Sequence, residues 1–270
     1  MTEEEKEETP ESKDNDEVAE DSATFQESEE SQPTDSEEED LEDEGDEEIE
    51  FDLEAQVEEF RKLIDEDPDN CVNFYNLGEA LAELGQLGEA KEAFEQALLL
   101  DENQEFSSII HLGIGNLYYH QLMSGIQSTV VKSSVGMLSQ HKQQNTINSV
   151  SGDDYSIPIT EFEKAIQFLP NLNADEEIVD YVRTNAPKQI STIYYKWASD
   201  LFDKARQLEH YGDEIKDIKQ GLKLLKKTIE IDPNHAQANL MVKYGKKMLL
   251  EGFSIYDEYG FEAKVIPGTG

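Results

Sequence analysis

Between Cys71 and Asn103 the apolar positions fall at helical spacing twice over. Phe74, Leu77, Gly78 and Leu81 make one stripe, and Ala90, Phe94 and Ala97 make a second. That periodicity predicts two amphipathic helices, with Gly85 and Gly88 bracketing the turn between them. Small residues at 78 and 90 allow the helices to approach closely, while Phe74, Leu81 and Phe94 fill the space around the contact. Upstream, LEAQVEEFRKLIDEDPDN reads as one more helix, with Phe60 on its apolar side and Pro68 just past its end. Downstream, Ile114, Gly115 and Tyr118 repeat the first stripe, and Phe162, Ala165 and Pro170 repeat the second, with Pro158 where a small residue is expected. A third round runs from Tyr194, Trp197, Ala198 and Leu201 to Gly221, Leu225, Thr228 and Pro233, with a longer hairpin around His210 to Asp213. HAQANLMVKYGKKMLL predicts a last amphipathic helix, ADEEIVDYVRT (residues 174–184) a short one between the second and third rounds, and 252–270 a loosely structured tail.

The recurrence of a bulky residue, a Leu-Gly pair and another bulky residue, then Ala, Phe and Ala on a second helix, resembles the tetratricopeptide repeat. The resemblance covers about residues 53–250 and departs from the family at Glu102, where proline is usual. It implies an all-α fold: a right-handed superhelical stack of antiparallel helix pairs, about three and a half repeats, with residues 53–66 as a half-repeat covering the open end. The expected organisation is an acidic tail over 1–50, a repeat domain over 51–251 and a C-terminal tail over 252–270. To keep the second round in register an insertion is needed near 124–156, rich in Ser, Gln, Asn and Thr. Leu122, Met123, Ile126, Val130, Val131, Val135 and Leu138 could give it one apolar face, as a docking element or a cover for the groove; a flexible loop is the alternative.

Charge sharpens this picture. Residues 1–50 hold 26 acids against two lysines and almost no large apolar side chain, so that segment is expected to stay disordered. Residues 51–270 hold 36 acids against 20 Lys or Arg. So acidic a chain disfavours direct contact with nucleic-acid phosphates or anionic membranes and leaves basic proteins as partners. Ser28 and Ser36, each followed by acids, resemble acidophilic kinase sites. The sequence shows no basic, apolar leader and no run long enough to span a bilayer, and a single cysteine, Cys71, fits a reducing compartment. The cytoplasm is the expected location, with the nucleus as the alternative.

Catalytic and metal-binding patterns fail one by one. Asp65, Asp67 and Asp69 imitate the start of a calcium loop, but Asn70 and Asn76 stand where Gly and Glu are required. The Gly113-Ile-Gly115 step follows no strand. The five histidines have no metal spacing, and Cys71 reads as a packing residue. No cofactor, metal or enzymatic activity is expected.

The resemblance instead implies a concave surface lined by the first helix of each unit. Its candidate residues are Tyr75, Asn76 and Glu79, then Leu112, Asn116 and Tyr119, then Tyr195, Lys196 and Ser199. The subclass that grips the terminal carboxylate of heat-shock chaperones needs Lys and Asn on successive first helices, then Lys and Arg on the third; those places hold Tyr75, Glu79, Gly113, Thr192 and Lys196, and only Lys196 has the required charge. The expectation is therefore an interaction scaffold that binds a protein or peptide segment in the groove. The rival is an acidic chaperone that shields histone-like or ribosomal clients through its tail.

Overall fold

The computed structural model describes residues 52–134, 151–208, 210, 212–257 and 259–270, with side chains from 126 to 134 left aside. The acidic tail, Ser28, Ser36, Val135, Leu138 and the middle of the insertion lie outside the described residues. So do the side chains of Ile126, Val130 and Val131.

Eight helices follow one another among these residues. They are α1 (Leu53–Glu66), α2 (Cys71–Glu83), α3 (Leu87–Leu100), α4 (Ser107–Ser134), α5 (Gly152–Phe168), α6 (Glu176–Ala205), α7 (Glu214–Ile231) and α8 (Ala236–Glu251). Each packs on its successor, and α2 also touches α4 as α4 touches α6. The result is a stack of helix pairs, α2 with α3, α4 with α5 and α6 with α7, behind the half-unit α1. The tail expected over 252–270 is instead a β-hairpin of β1 (Gly252–Tyr256) and β2 (Glu262–Pro267), paired antiparallel. The chain enters it through Gly252, whose φ of 84° suits a residue without a Cβ. Ile255 and Ile266 are its buried residues.

Three phenylalanines set the helix spacing. Phe94, fully buried on α3, lies against both Gly78 and Gly113: a Cβ at either would stand 2.7 or 2.9 Å from its ring. Phe162 on α5 fills the same role at Gly115, and Phe202 on α6 covers both Gly221 and Gly245. Any larger residue at these glycines would force the helices apart. Two cores result. One joins Val57, Leu77, Leu81, Phe94, Ile110, Ile114 and Leu117; the other runs from Leu112 and Leu122 through Phe162, Ile193, Phe202 and Leu225 to Met248.

The connections are held by side chains at helix ends. Asn70 caps α2 by accepting from the Val72 amide at 3.0 Å. The buried Asp101 accepts from the amides of Glu105 and Phe106 and from the Ser107 hydroxyl at 2.6 Å. It thereby ties the end of α3 to the start of α4, next to Glu102 where the repeat pattern expects proline. Two further expectations change. Residues 174–184 are not a separate helix but the first part of the 30-residue α6, which continues through Pro187. The proline removes one bond to the carbonyl of Arg183, an exposed position where water can replace it. The insertion is taken up partly by helix: α4 extends to Ser134 and α5 begins at Gly152.

Candidate functional site

The first helices of the three pairs, α2, α4 and α6, form one face of the stack. On α2, Leu77, Gly78 and Leu81 turn to the core, which leaves Tyr75, Asn76 and Glu79 half-buried on other sides. The Tyr75 ring leans on Phe94, 5.9 Å between centroids. Glu79 reaches across to α4, where a Cβ on Gly113 would stand 2.7 Å from its Oε1. The glycine thus opens the space that the carboxylate occupies. Among the described residues Glu79 has no hydrogen bond and no ion pair. Burial, and then the charge of Glu83, push its carboxyl up to about 7. The Tyr75 hydroxyl is raised as well, by burial first and then by Glu79 and Tyr181. Tyr181 of α6 is thus within electrostatic reach of Tyr75, and it is 55% exposed. It was absent from the sequence-derived set because residues 174–184 read as a spacer.

Of the other candidates, Leu112 has to be corrected. It is 3% exposed and belongs to the second core, so it cannot meet a partner. The cause is that α4 is covered on two sides: Ile110, Ile114 and Leu117 face one core, Leu112 and Leu122 the other. Asn116 and Tyr119 remain half-buried between them, with Tyr119 packed partly against the second core. On α6, Tyr195 rests 4.7 Å from the ring of His235, at the junction with α8. Lys196 pairs with Asp200, which also accepts from the Tyr155 hydroxyl, so its charge is engaged within the fold. Ser199 is half-buried. The structure thus gathers Tyr75, Glu79 and Tyr181 into one patch and leaves Tyr195 at a different junction.

A second depression, of about 380 Å³, lies among α1, α2 and α3. Phe74, Leu77, Leu81 and Ala93 form its floor, Glu89, Glu92 and Glu95 its rim, and Arg61 bridges to Glu89 at 3.2 Å.

The residues that imitated chemistry have structural tasks. Asp67 accepts from the Asn70 side chain in the α1–α2 turn. Cys71 is buried, and burial followed by the nearby Asp101 charge raises its thiol above the usual range, away from a reactive thiolate. His111 sits 2.7 Å from Glu161 and stacks on Phe168. No group of three potential metal ligands occurs among the described residues. Nor is any described helix long and apolar enough to cross a membrane.

Comparison with known proteins agrees with this packing. Residues 73–104, that is α2, α3 and the turn after them, match the tetratricopeptide repeat family. No curated protein matches the chain. Among solved structures, a TPR repeats protein from Bacteroides fragilis aligns over 73% of this chain and 91% of its own at 15% identity, with a TM-score of 0.24, too low to bear on the fold. The matched unit is thus a tetratricopeptide repeat, and α4 with α5 repeats its glycine–phenylalanine contact.

Proposed function

We propose that the protein is a non-enzymatic interaction scaffold, holding a segment of a partner protein against the face formed by α2, α4 and α6. The observation that carries this reading is Glu79. A half-buried carboxylate with no cation beside it among the described residues, and whose charge acts on Tyr75, fits a Lys or Arg side chain of a bound segment. The cation would meet both the charge and the Tyr75 ring. A basic, extended segment is therefore the expected ligand, and the cytoplasm the expected setting.

Selection of displayed peptides on the full chain tests this. Lys- or Arg-containing peptides should be enriched, and Glu79→Gln or Tyr75→Ala should weaken them about tenfold. Equal binding by both variants would remove the patch from consideration.

The composition of residues 1–50, with 26 acids, favours a second reading, an acidic chaperone for basic clients. Deleting that segment separates the two. A scaffold keeps one salt-tolerant partner, whereas a chaperone of that kind loses many basic partners at once, and its binding fades with salt.

A further inference from the structure

At the end of the stack, α8 repeats the start of another unit. Tyr244 and Gly245 stand as Leu77 and Gly78 do on α2, with a phenylalanine ring against each glycine. On α2 Leu77 is 9% exposed, because α3 returns over it. The residues directly after α8 form a hairpin rather than a second helix. The chain turns at Gly252 into β1, and Leu240 stays 68% exposed, Leu250 63% and Tyr244 43%, with the Tyr244 hydroxyl directed to Arg206. The inner side of α8 is fully used: Gly245 takes the Phe202 ring and Leu222, and Ala238 and Met248 are buried. What remains open is a complete outer helix face.

Its charge is opposite to that of the chain. The protein has a formal net charge of −40, yet residues 214–251 carry eight lysines against five acids. On α8 itself, Lys243, Lys246 and Lys247 stand against one acid, Glu251. Lys243 and Lys246 have no ion pair among the described residues, and Lys247 has only an exposed contact with Glu251 at 3.7 Å. Lysines thus alternate with apolar side chains along the face.

We propose that the outer face of α8 docks an acidic amphipathic helix of another protein. Leu240 and Leu250 stand ten residues apart, roughly 15 Å along the axis, so an occupant of about three turns spans both. Its leucines would cover them while its Glu or Asp residues meet the lysines. A second copy of this chain fits poorly, since antiparallel α8 faces would set Lys243 against Lys247 between two chains of −40. A nucleic acid would satisfy the lysines but leave both leucines uncovered.

Fluorescence anisotropy of the full chain with a labelled synthetic helix of about twenty residues, Leu along one face and Glu elsewhere, tests the proposal. The expected result is saturable, salt-sensitive binding that falls about tenfold with Lys243→Glu/Lys246→Glu and similarly with Leu240→Ser/Leu250→Ser. All four positions are exposed, so melting curves should show both variants folded. Tyr75→Ala should leave the affinity unchanged, which separates this face from the α2–α4–α6 patch. Absence of saturable binding, equal affinity for a scrambled peptide, or loss of binding only with Tyr75→Ala would overturn it. So would tighter binding of a single-stranded oligonucleotide of the same charge. A dimer in sedimentation that Leu240→Ser/Leu250→Ser converts to monomer would make a second copy the occupant instead.

Discussion

Glu79 is a half-buried carboxylate with no hydrogen bond or ion pair among the described residues, and the fold bears the cost. Its carboxyl is pushed up to about 7 from an ordinary value of 4.5, so between those two pH values the folded state binds more protons than the unfolded one. Stability attributable to this residue therefore falls as pH rises from 4.5 through 7, and the penalty is complete above that. Glu79→Gln should then stabilise the free protein at pH 8 and change nothing near pH 4. With solvent screening of a half-buried group the gain is on the order of 1 kcal/mol, a rise of about 2–4 °C in Tm. Paired melts of the two proteins at both pH values measure it, and an equal difference at the two would refute the assignment. The same residue shows how far the site was legible. Tyr75, Asn76 and Glu79 were placed on the outer side of α2 by the family resemblance together with the helical spacing. Leu112 failed because spacing identifies one buried stripe, while α4 is buried on two. Tyr181 escaped because its place beside Tyr75 depends on where a long helix crosses another, which no local pattern encodes.

At the scale of elements the first two helix pairs were readable because each sets a phenylalanine of its second helix against a glycine of its first, whereas α6 and the hairpin follow other constraints. Pro187 looks like a boundary, yet α6 passes through it because one lost bond at a wetted carbonyl is tolerable. The hairpin's alternation is short and broken by an irregularity between Ile255 and Tyr256, so its signal is weak; tertiary contacts fix it. Lys264 of β2 reaches the His210 carbonyl at 2.5 Å and pairs with Glu214, which is 4% exposed. Burial alone would raise the Glu214 carboxyl, but the Lys264 hydrogen bond and charge, together with the backbone amides of Glu214 and Gly212, outweigh it and hold the group below the usual range. This contribution is present above pH 4.5 and is lost as pH falls through the lowered value. Lys264→Ala should leave a buried carboxylate unpaired and cost about 3 kcal/mol. Adding Glu214→Gln should recover part of that loss. Hydrogen exchange should show the hairpin amides opening first in the single variant. Unchanged protection there would mean that Ile255 and Ile266 hold the hairpin without the ion pair.

Among the described residues α4 lends side chains to both cores, and its attachments to them are unequal. Toward α5 it adds to its apolar contacts the Ser108 hydroxyl on the Ala165 carbonyl at 2.7 Å and the His111–Glu161 pair. Toward α2 and α3 it offers Ile110, Ile114 and Leu117, with Asp101 clamping the loop between. In a repeat architecture each unit is stabilised by its neighbours, so a loss in one core is felt elsewhere only through the shared helix. Phe94→Ala removes a fully buried ring that presses on both Gly78 and Gly113, at a cost of about 3–5 kcal/mol. Hydrogen exchange of that variant should show amides of α1, α2 and α3 losing protection together. Those of α6 and α7, around Phe202 and Leu225, should keep theirs, and α4 should follow the second group because its polar ties lie on that side. A uniform loss from α1 to α8 would instead mean that α4 transmits the whole deficit and that the stack unfolds as one unit. In that case a ligand on the α2 patch would stabilise α8 as strongly as α2, whereas the local outcome confines its effect to the units it touches.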